Sequence, residues 1–229
     1  MSDSIQVVVE DGQFEAYVFS AGRKAPAIVL IQEVFGVNAG MREVAAELVA
    51  EGFTVVAPDL FWRVEPGLQL SSSDTADTER AFGIYGGLDF EQTARDVVAT
   101  VSAARALSGN SKVGVMGFCL GGLMTFLTAA RSDVDAAVEY YGGGTQNYVA
   151  EAANIRAPML IHLAGADEYV PVDAQQVILD ATAGMRNVEV LVYPGRDHAF
   201  ARPHGHHHHA ADAKLANART YDFFRRHLD

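Results

Sequence analysis

The sequence predicts an α/β fold with a mostly parallel central sheet of about eight strands, helices on both faces and an N-terminal antiparallel hairpin. From residue 26 onward, short apolar runs alternate with segments of helical spacing, which is the pattern of a parallel sheet. Before that point, two alternating stretches flank Asp11-Gly12, a sequence typical of a hairpin turn.

Length, composition and charge restrict the class of protein. The chain has 229 residues, of which 49% are hydrophobic and 20% charged, and this suits a single domain over residues 1–229. The net charge of −12 disfavours nucleic acid and anionic membrane as partners. No apolar run approaches the ~20 residues of a membrane helix. With one cysteine, we expect a soluble, cytoplasmic monomer or small homo-oligomer.

The first part of the chain supplies the hairpin and one βαβ unit. Alternating residues predict strands over 5–9 and 14–19 at the sheet edge. The continuously apolar stretch 27–31 predicts a strand covered on both faces. A helix over 41–51, closed by a glycine, then leads into a strand over 53–57.

Residues 58–78 are rich in Pro, Gly, Ser and Asp, and they predict a long irregular segment beside an active site. We expect Phe61 and Trp62 to pin this segment to the core rather than line a pocket. A short helix through Arg80 and Tyr85 follows.

The second half of the chain alternates between helices and strands and is expected to complete the sheet. In order, we expect a long amphipathic helix capped by Asp89, a strand at 113–116, a helix at 120–130, strands at 136–138 and 159–163, a helix at 172–182, a strand at 188–193 and a final helix at about 211–226.

The chain is organised around the segment Gly117-Phe118-Cys119-Leu120-Gly121, between a strand and a helix. This is the spacing of a nucleophile elbow, in which small neighbours allow the nucleophile strained backbone angles. The turn also places the Leu120 N–H at a helix N-terminus, where partial positive charge favours a thiolate and an oxyanion. Because a lone cysteine is often only a small buried hydrophobe, the assignment depends on the rest of the chain.

Cys119, Asp167 and His198 each follow a predicted strand, in the nucleophile-acid-histidine order of the α/β-hydrolase fold. Acyl transfer needs these three groups, and the carboxyl ends of parallel strands bring them to one edge of the sheet. Asp197 competes for the role of the acid. We prefer Asp167, because the side chains of adjacent residues point apart.

The other histidines are expected to be structural. His162 lies within an apolar strand and is interpreted as a core residue whose hydrogen bonds are satisfied. The four consecutive histidines at 206–209 are interpreted as a solvated loop, although such tracts bind metal incidentally. No spaced cluster of Cys, His and carboxylates indicates a metal site, and the sequence calls for no cofactor.

Five segments spread over nearly the whole chain also resemble a known family: 32–38 (QEVFGVN), 57–60 (APDL), 117–122 (GFCLGG), 140–142 (YYG) and 198–202 (HAFAR). They resemble the dienelactone hydrolase family, cysteine hydrolases also called carboxymethylenebutenolidases. The cysteine elbow and the Gln-Glu-x-Phe-Gly segment are together highly specific, since most α/β-hydrolases carry serine at the elbow.

The resemblance implies the chemistry of the reacting groups. Cys119 would attack a lactone or ester carbonyl, with His198 as the base and Asp167 orienting the imidazole. The backbone N–H groups of Leu120 and Val34 would hold the oxyanion.

The resemblance also implies contacts around the substrate. Glu33 corresponds to a glutamate that contacts the resting thiol and withdraws when substrate arrives. Arg202 corresponds to an arginine that pairs with the substrate carboxylate. The spacing of the aromatic residues after Arg80 departs from the family pattern. The remaining expected substrate contacts are Phe35, Arg80, Tyr85 and Tyr141.

The predicted function is therefore a cysteine hydrolase that opens a carboxylated unsaturated lactone, or a related small ester, through a thioester intermediate. Its partner would be a small, anionic substrate. One alternative is a broad-specificity carboxylesterase or thioesterase. Another is a non-catalytic ligand-binding or thiol-sensing protein on the same fold, because fold alone does not fix function.

Overall fold

An eight-stranded sheet forms the centre of the protein in this computed structural model, which describes residues 3–20, 25–109 and 112–228. The strands are β1 (Asp3–Val9), β2 (Gly12–Phe19), β3 (Ala27–Ile31), β4 (Thr54–Pro58), β5 (Val113–Phe118), β6 (Ala136–Tyr140), β7 (Met159–Ala164) and β8 (Val188–Tyr193). The helices are α1 (Ala39–Ala50), α2 (Thr75–Gly86), α3 (Phe90–Leu107), α4 (Leu120–Arg131), α5 (Val172–Thr182) and α6 (Ala210–Leu228).

The strands lie in the order β1-β2-β4-β3-β5-β6-β7-β8. β1 and β2 form an antiparallel hairpin, β2 is antiparallel to β4, and the other neighbouring pairs are parallel. Val9 pairs with Gly12, so the hairpin turn lies one residue earlier than the Asp11-Gly12 signal suggests. The structure confirms the predicted fold class.

Helices cover both faces of the sheet because the central strands are apolar on both sides. The residues of β3, β4, β5, β6 and β7 are all buried. α1 and α6 pack on one face, and α3, α4 and α5 pack on the other. Among the described residues, no helix is both long enough and apolar enough to cross a bilayer.

The final helix approaches the sheet closely at Gly114, in the middle of the strand that leads to the elbow. A β-carbon built on Gly114 would lie 2.8 Å from the ring of Phe224 and 2.9 Å from Leu228. Both side chains are buried. Because Gly114 has no side chain, Phe224 and Leu228 of α6 can pack directly on one face of β5.

Two helices begin earlier than the sequence suggests, because short polar residues cap them. Asn38 accepts a hydrogen bond from the Met41 N–H at 3.2 Å, so α1 begins at residue 39 rather than 41. Asp74 accepts from the Asp77 N–H at 2.9 Å, so the irregular segment ends at residue 74 rather than 78. Two 3-10 turns that the sequence does not predict, Thr145–Asn147 and Val149–Asn154, follow β6.

The irregular segment after β4 is pinned to the core as predicted. Phe61 is fully buried. The ring of Trp62 stacks on Phe14 with 5.6 Å between centroids, and its Nε1 donates to Asp96 at 3.0 Å. Arg63 joins the hairpin to α3 through Asp11 and Asp96. These contacts fix the start of the segment to the core. Its later part, which includes Ser72, extends to the cavity described below.

Candidate active site

Four strands end around one cavity of about 180 Å³. Glu33 follows β3, Cys119 follows β5, Asp167 follows β7 and His198 follows β8. This is the edge at which parallel sheets bind ligands. The cavity opens beside Cys119, and its other lining residues include Val34, Phe35, Ser72, Phe82, Tyr169 and Arg202.

The backbone at Cys119 is held in an unusual conformation, with φ at 54°, directly before α4. Glycines on both sides make this turn possible. A β-carbon on Gly117 would lie 2.3 Å from the carbonyl oxygen of Gly121, and one on Gly121 would lie 2.4 Å from that of Ile31. The elbow therefore packs backbone to backbone against the end of β3.

Asp167 and His198 are joined by a hydrogen bond of 2.8 Å between Oδ2 and Nδ1. The other carboxylate oxygen of Asp167 accepts from the backbone N–H groups of Tyr169 and Val170, at 2.8 and 3.1 Å. These bonds fix the carboxylate, which fixes the imidazole. The competing Asp197 is exposed, and its carboxylate lies 3.3 Å from His207 instead.

The second imidazole nitrogen of His198 is left for the sulfur. Nε2 is buried and has no hydrogen-bond partner among the described residues. Burial alone would lower the pKa of His198, but the negative charges of Cys119 and Asp167 outweigh it and raise the pKa to about 10. Negative charge on the sulfur and on Asp167 therefore stabilises the protonated form of the imidazole.

Aromatic rings and strained backbone hold His198 from both sides. Tyr141 lies edge-on to the imidazole at 5.0 Å, and Tyr169 does so at 4.9 Å. Ala199 has φ at 63° and Tyr141 has φ at 38°, values that non-glycine residues seldom adopt outside functional sites. Tyr141, expected to contact substrate, is fully buried behind the imidazole and does not line the cavity.

Glu33 forms a bidentate ion pair with Arg202, with distances of 2.5 Å from Nε and 3.1 Å from Nη2. The guanidinium also lies 5.0 Å from the centre of the Phe35 ring. No hydrogen bond joins Glu33 to Cys119 in the described part of the chain, in contrast to the expected contact with the resting thiol. Glu33 binds Arg202 rather than the thiol because a guanidinium offers a carboxylate two parallel, charge-assisted hydrogen bonds.

Two backbone N–H groups at the site are free to bind an anion. Within the described residues, neither the Val34 N–H nor the Leu120 N–H has an acceptor. The loop that carries Val34 is fixed by Gln32, whose side-chain oxygen accepts from the Leu60 N–H at 3.2 Å. Gly36, with φ at 76°, packs against the irregular segment at Leu68.

Arg80 does not reach the cavity. Thr78 and Phe82, four residues apart on α2, line it, and Arg80 lies on the opposite face of the helix because two residues turn an α-helix by about 200°. Arg80 is exposed and pairs with Glu65. Tyr85 is half-buried and does not line the cavity. Burial, followed by the charge of Cys119, raises its pKa.

Several residues that line the cavity could not be predicted from the sequence. Phe82 and Tyr169 stack at 6.1 Å and form an exposed aromatic rim. His206 and His207 also line the cavity, so the histidine run is exposed but not merely solvated. The register of α2, starting from its Asp74 cap, is the one signal that could have selected Phe82.

His162 is a satisfied core histidine, as predicted. Its Nδ1 lies 2.9 Å from the hydroxyl of Tyr193, and its Nε2 lies 3.1 Å from that of Thr220. Burial, followed by the charge of Arg219, lowers the pKa of His162 to about 3, so the imidazole is neutral. Across the described residues, no group of three or more His, Cys, Asp or Glu side chains is arranged to hold a metal ion.

The fold, together with a cysteine elbow beside an aspartate-bound histidine, defines a protein of the α/β-hydrolase class. The profile of the dienelactone hydrolase family matches residues 14–228. A carboxymethylenebutenolidase from Pseudomonas putida is 38% identical over 226 residues, which cover 97% of this chain and 96% of the relative. A provisionally named carboxymethylenebutenolidase from Azospirillum brasilense is 43% identical over 224 residues, 96% of each chain.

The solved structures agree with these relatives. The crystal structure of a provisionally named dienelactone hydrolase from Klebsiella pneumoniae superposes with a TM-score of 0.84 at 25% identity, covering 99% of each chain. The chain belongs to the dienelactone hydrolase family. It is accordingly a hydrolase of ester or lactone bonds, which disfavours the non-catalytic alternatives.

Proposed function

We propose that this protein is a cysteine hydrolase that opens a carboxylated, unsaturated lactone of the dienelactone type, or a related small ester, in the cytoplasm. The observation that carries the proposal is the buried, unpartnered Nε2 of His198 beside the elbow cysteine, with Nδ1 held by Asp167 at 2.8 Å. This arrangement supplies a nucleophile, a proton carrier and an orienting acid in one small volume.

In the first half of the reaction, Nε2 of His198 takes the proton of the Cys119 thiol. The thiolate attacks the carbonyl carbon, and the carbonyl electrons move onto oxygen. The N–H groups of Val34 and Leu120 hold that oxyanion, each contributing about 3 kcal/mol. When the tetrahedral intermediate collapses, the carbon–oxygen bond of the ester breaks, and the imidazolium protonates the leaving oxygen.

In the second half, His198 takes a proton from water, and the resulting hydroxide attacks the thioester carbonyl. The same two N–H groups hold the second oxyanion. The carbon–sulfur bond then breaks, the sulfur of Cys119 regains a proton from the imidazolium, and a carboxylic acid is released. Asp167 keeps its charge throughout and stabilises the imidazolium.

Arg202 provides the contact for a substrate carboxylate. It lines the cavity, and its guanidinium is already shaped for a carboxylate by its pairing with Glu33. A substrate carboxylate therefore competes with Glu33 for the same N–H donors of the Arg202 guanidinium. The side chain of Phe35, under the guanidinium, limits where Arg202 can move.

Hydrolysis assays on the wild type and on Cys119→Ala test the proposal, with a dienelactone and 4-nitrophenyl acetate as substrates. We expect Cys119→Ala to lose at least about 10³-fold in kcat on both. Intact mass spectrometry of the wild type, quenched during turnover of 4-nitrophenyl acetate, should show one acetyl group on Cys119. Equal rates in the two proteins would remove Cys119 from the mechanism.

A broad-specificity carboxylesterase or thioesterase is the second candidate, and the position of Arg80 favours it. With Arg80 outside the cavity and Arg202 engaged by Glu33, no lining guanidinium of the described chain is unpaired. Arg202→Lys separates the two candidates. A loss confined to anionic substrates supports carboxylate recognition, whereas an equal loss on neutral esters supports the broader esterase.

A further inference from the structure

A buried carboxyl group beside the elbow takes no part in the proposed chemistry. Glu139 lies in β6 and is paired across the sheet with Gly117, two residues before Cys119. Its side chain is fully buried and does not line the cavity. Because carboxyl groups are seldom buried unless their surroundings bind them, the contacts of Glu139 indicate what it holds in place.

The carboxyl group of Glu139 binds the segment that follows β6, residues 141–145, here called the β6 loop. Its Oε1 accepts from the hydroxyl of Thr145 at 2.7 Å, and the backbone N–H of Gly142 also donates to the carboxyl group. A β-carbon on Gly142 would collide with Oε1. One side chain therefore fixes the β6 loop at two points that are three residues apart.

The end of β6 and the β6 loop hold the backbone of Cys119 on both sides of the residue. The N–H of Cys119 donates to the carbonyl oxygen of Tyr140 at 3.1 Å, and its carbonyl oxygen accepts from the N–H of Gly143 at 3.3 Å. The contact continues into α4, where a β-carbon on Gly122 would lie 2.7 Å from the α-carbon of Gly142. A shift of the β6 loop would therefore move the residue that carries the sulfur.

The same loop supports the imidazole. Tyr141, with φ at 38°, lies edge-on to the ring of His198 at 5.0 Å. Its N–H donates to the carbonyl oxygen of His162 at 2.8 Å, which ties the loop to β7. Both groups that must meet in the reaction, the sulfur and the imidazole, therefore rest on the segment that Glu139 holds.

We infer that Glu139 is a positioning residue for hydrolysis, acting through the β6 loop on the distance between the sulfur of Cys119 and Nε2 of His198. The inference rests on the proposed function, because it takes Cys119 as the nucleophile. A misplacement of about 1 Å at reacting atoms costs on the order of 100-fold in rate. Loss of the carboxyl contacts should therefore slow the chemical step and leave substrate binding unchanged, since Glu139 does not line the cavity.

Two substitutions of Glu139 test this role. Glu139→Leu is similar in size and removes both accepted hydrogen bonds, whereas Glu139→Gln keeps an accepting oxygen. Single-turnover reactions of 4-nitrophenyl acetate with excess enzyme at pH 7 separate the chemical step from binding. We expect Glu139→Leu to lower the maximal rate constant of nitrophenolate release about tenfold and Glu139→Gln to stay within about twofold of the wild type. The half-saturating enzyme concentration should change by less than about twofold in both.

Thr145→Val provides the same test if Glu139→Leu does not fold. It removes one hydroxyl donor without changing the shape of the side chain, and the maximal rate constant should fall about fivefold, the effect of one lost hydrogen bond. The matched control is Thr128→Val: this buried hydroxyl donates to the carbonyl oxygen of Met124 within α4, at 2.7 Å. The control should keep the wild-type rate constant.

A purely structural role for Glu139 predicts a different result. Partial unfolding lowers the number of active molecules but leaves the maximal single-turnover rate constant of the folded ones unchanged. A wild-type maximal rate constant in Glu139→Leu, or in Thr145→Val where the first variant does not fold, would overturn the inference.

Alkylation of Cys119 by iodoacetamide separates this inference from the proposed function, because it requires no ester hydrolysis. When the imidazole no longer lies beside the sulfur, alkylation should slow in Glu139→Leu and Thr145→Val, since the thiolate is the nucleophile. If the wild type releases no nitrophenolate, the proposed function fails, and the alkylation rates still decide the role of Glu139. Unchanged or faster alkylation in these variants would then contradict the positioning role.

Discussion

Glu33 and Arg202 are 169 residues apart in the chain and meet in a bidentate ion pair beside the cavity. The pair ties the loop after β3, which carries the proposed oxyanion donor Val34, to the loop after β8, which carries His198. Their side chains are 6% and 18% exposed, so water screens the pair weakly. One contact therefore has two tasks: it holds the site together, and it occupies the group that we propose receives the substrate.

Removing one member of this pair should destabilise the protein. Arg202→Met leaves the buried carboxylate of Glu33 uncompensated, which costs about 3 kcal/mol in free energy of unfolding. The double variant E33Q/R202M should recover most of the loss, because no buried charge then lacks a partner. Urea unfolding of the wild type, Arg202→Met and E33Q/R202M measures both effects. Equal stability of the single and double variants would contradict a coupled pair.

Removing the charge of Asp167 should lower the pKa of His198 and slow hydrolysis without disturbing the fold. In Asp167→Asn, the attraction that helps to raise the pKa of His198 is lost, so that pKa falls. By analogy with the serine triads, we expect kcat to fall roughly 10³- to 10⁴-fold. The matched control is Asp197→Asn, which removes the exposed neighbouring carboxylate and should leave kcat within about twofold. NMR titration of the histidine ring protons follows the pKa.

Adding one carbon at Gly121 should distort the elbow. The new methyl group would lie 2.4 Å from the carbonyl oxygen of Ile31 and 2.7 Å from that of Gln32, so the end of β3 must move. We expect Gly121→Ala to cost roughly 3 kcal/mol and to abolish hydrolysis. Gly83→Ala is the control: on α2, its added carbon meets no atom within 4 Å, and it should stabilise the protein by about 1 kcal/mol.

The buried carboxyl group of Glu139 should make stability depend on pH. Glu139 lies in β6; its Oε1 accepts from the hydroxyl of Thr145 at 2.7 Å, and its Oε2 has no partner in the described chain. Burial raises its pKa to about 8, against the opposing effect of the hydrogen bonds from Thr145 and from the Gly142 backbone. The folded state therefore holds a proton that the unfolded chain releases near pH 4.5.

The sign of this dependence follows from the raised pKa. Stability from Glu139 is full below about pH 4.5 and is lost progressively up to about pH 8, because the unfolded state binds fewer protons in that range. Glu139→Gln cannot ionise, so its Tm should exceed that of the wild type by a margin that grows from pH 5 to pH 8. A constant margin would show that Glu139 does not titrate in this interval.

The sequence predicted the features that depend on local pattern. Continuous apolar runs marked the central strands, and the glycines around Cys119 marked the elbow, because each reflects packing between near neighbours. The helix starts were misplaced by a few residues. Asp74, which caps α2, lies among Ser71, Ser72, Ser73 and Thr75, which are equivalent candidates for the cap. Asn38, which caps α1, has no such competitor, but the apolar spacing that was used to place α1 begins only at Met41.

Contacts between distant loops could not be predicted in the same way. Nothing in the sequence around Glu33 indicates that its carboxylate faces Arg202 rather than the thiol, because that choice depends on how the β3 and β8 loops meet. The outward position of Arg80 follows from the register of α2. His206 and His207 line the cavity, a position that the composition of a histidine run does not reveal.

The packing of α6 on β5 at Gly114 has a consequence for the order of events during synthesis of the protein. β5 and its cysteine leave the ribosome long before Phe224 and Leu228, whose side chains close the back of that strand. β5 cannot gain this cover before α6 has been synthesised. We therefore expect turnover only after α6 has docked on β5.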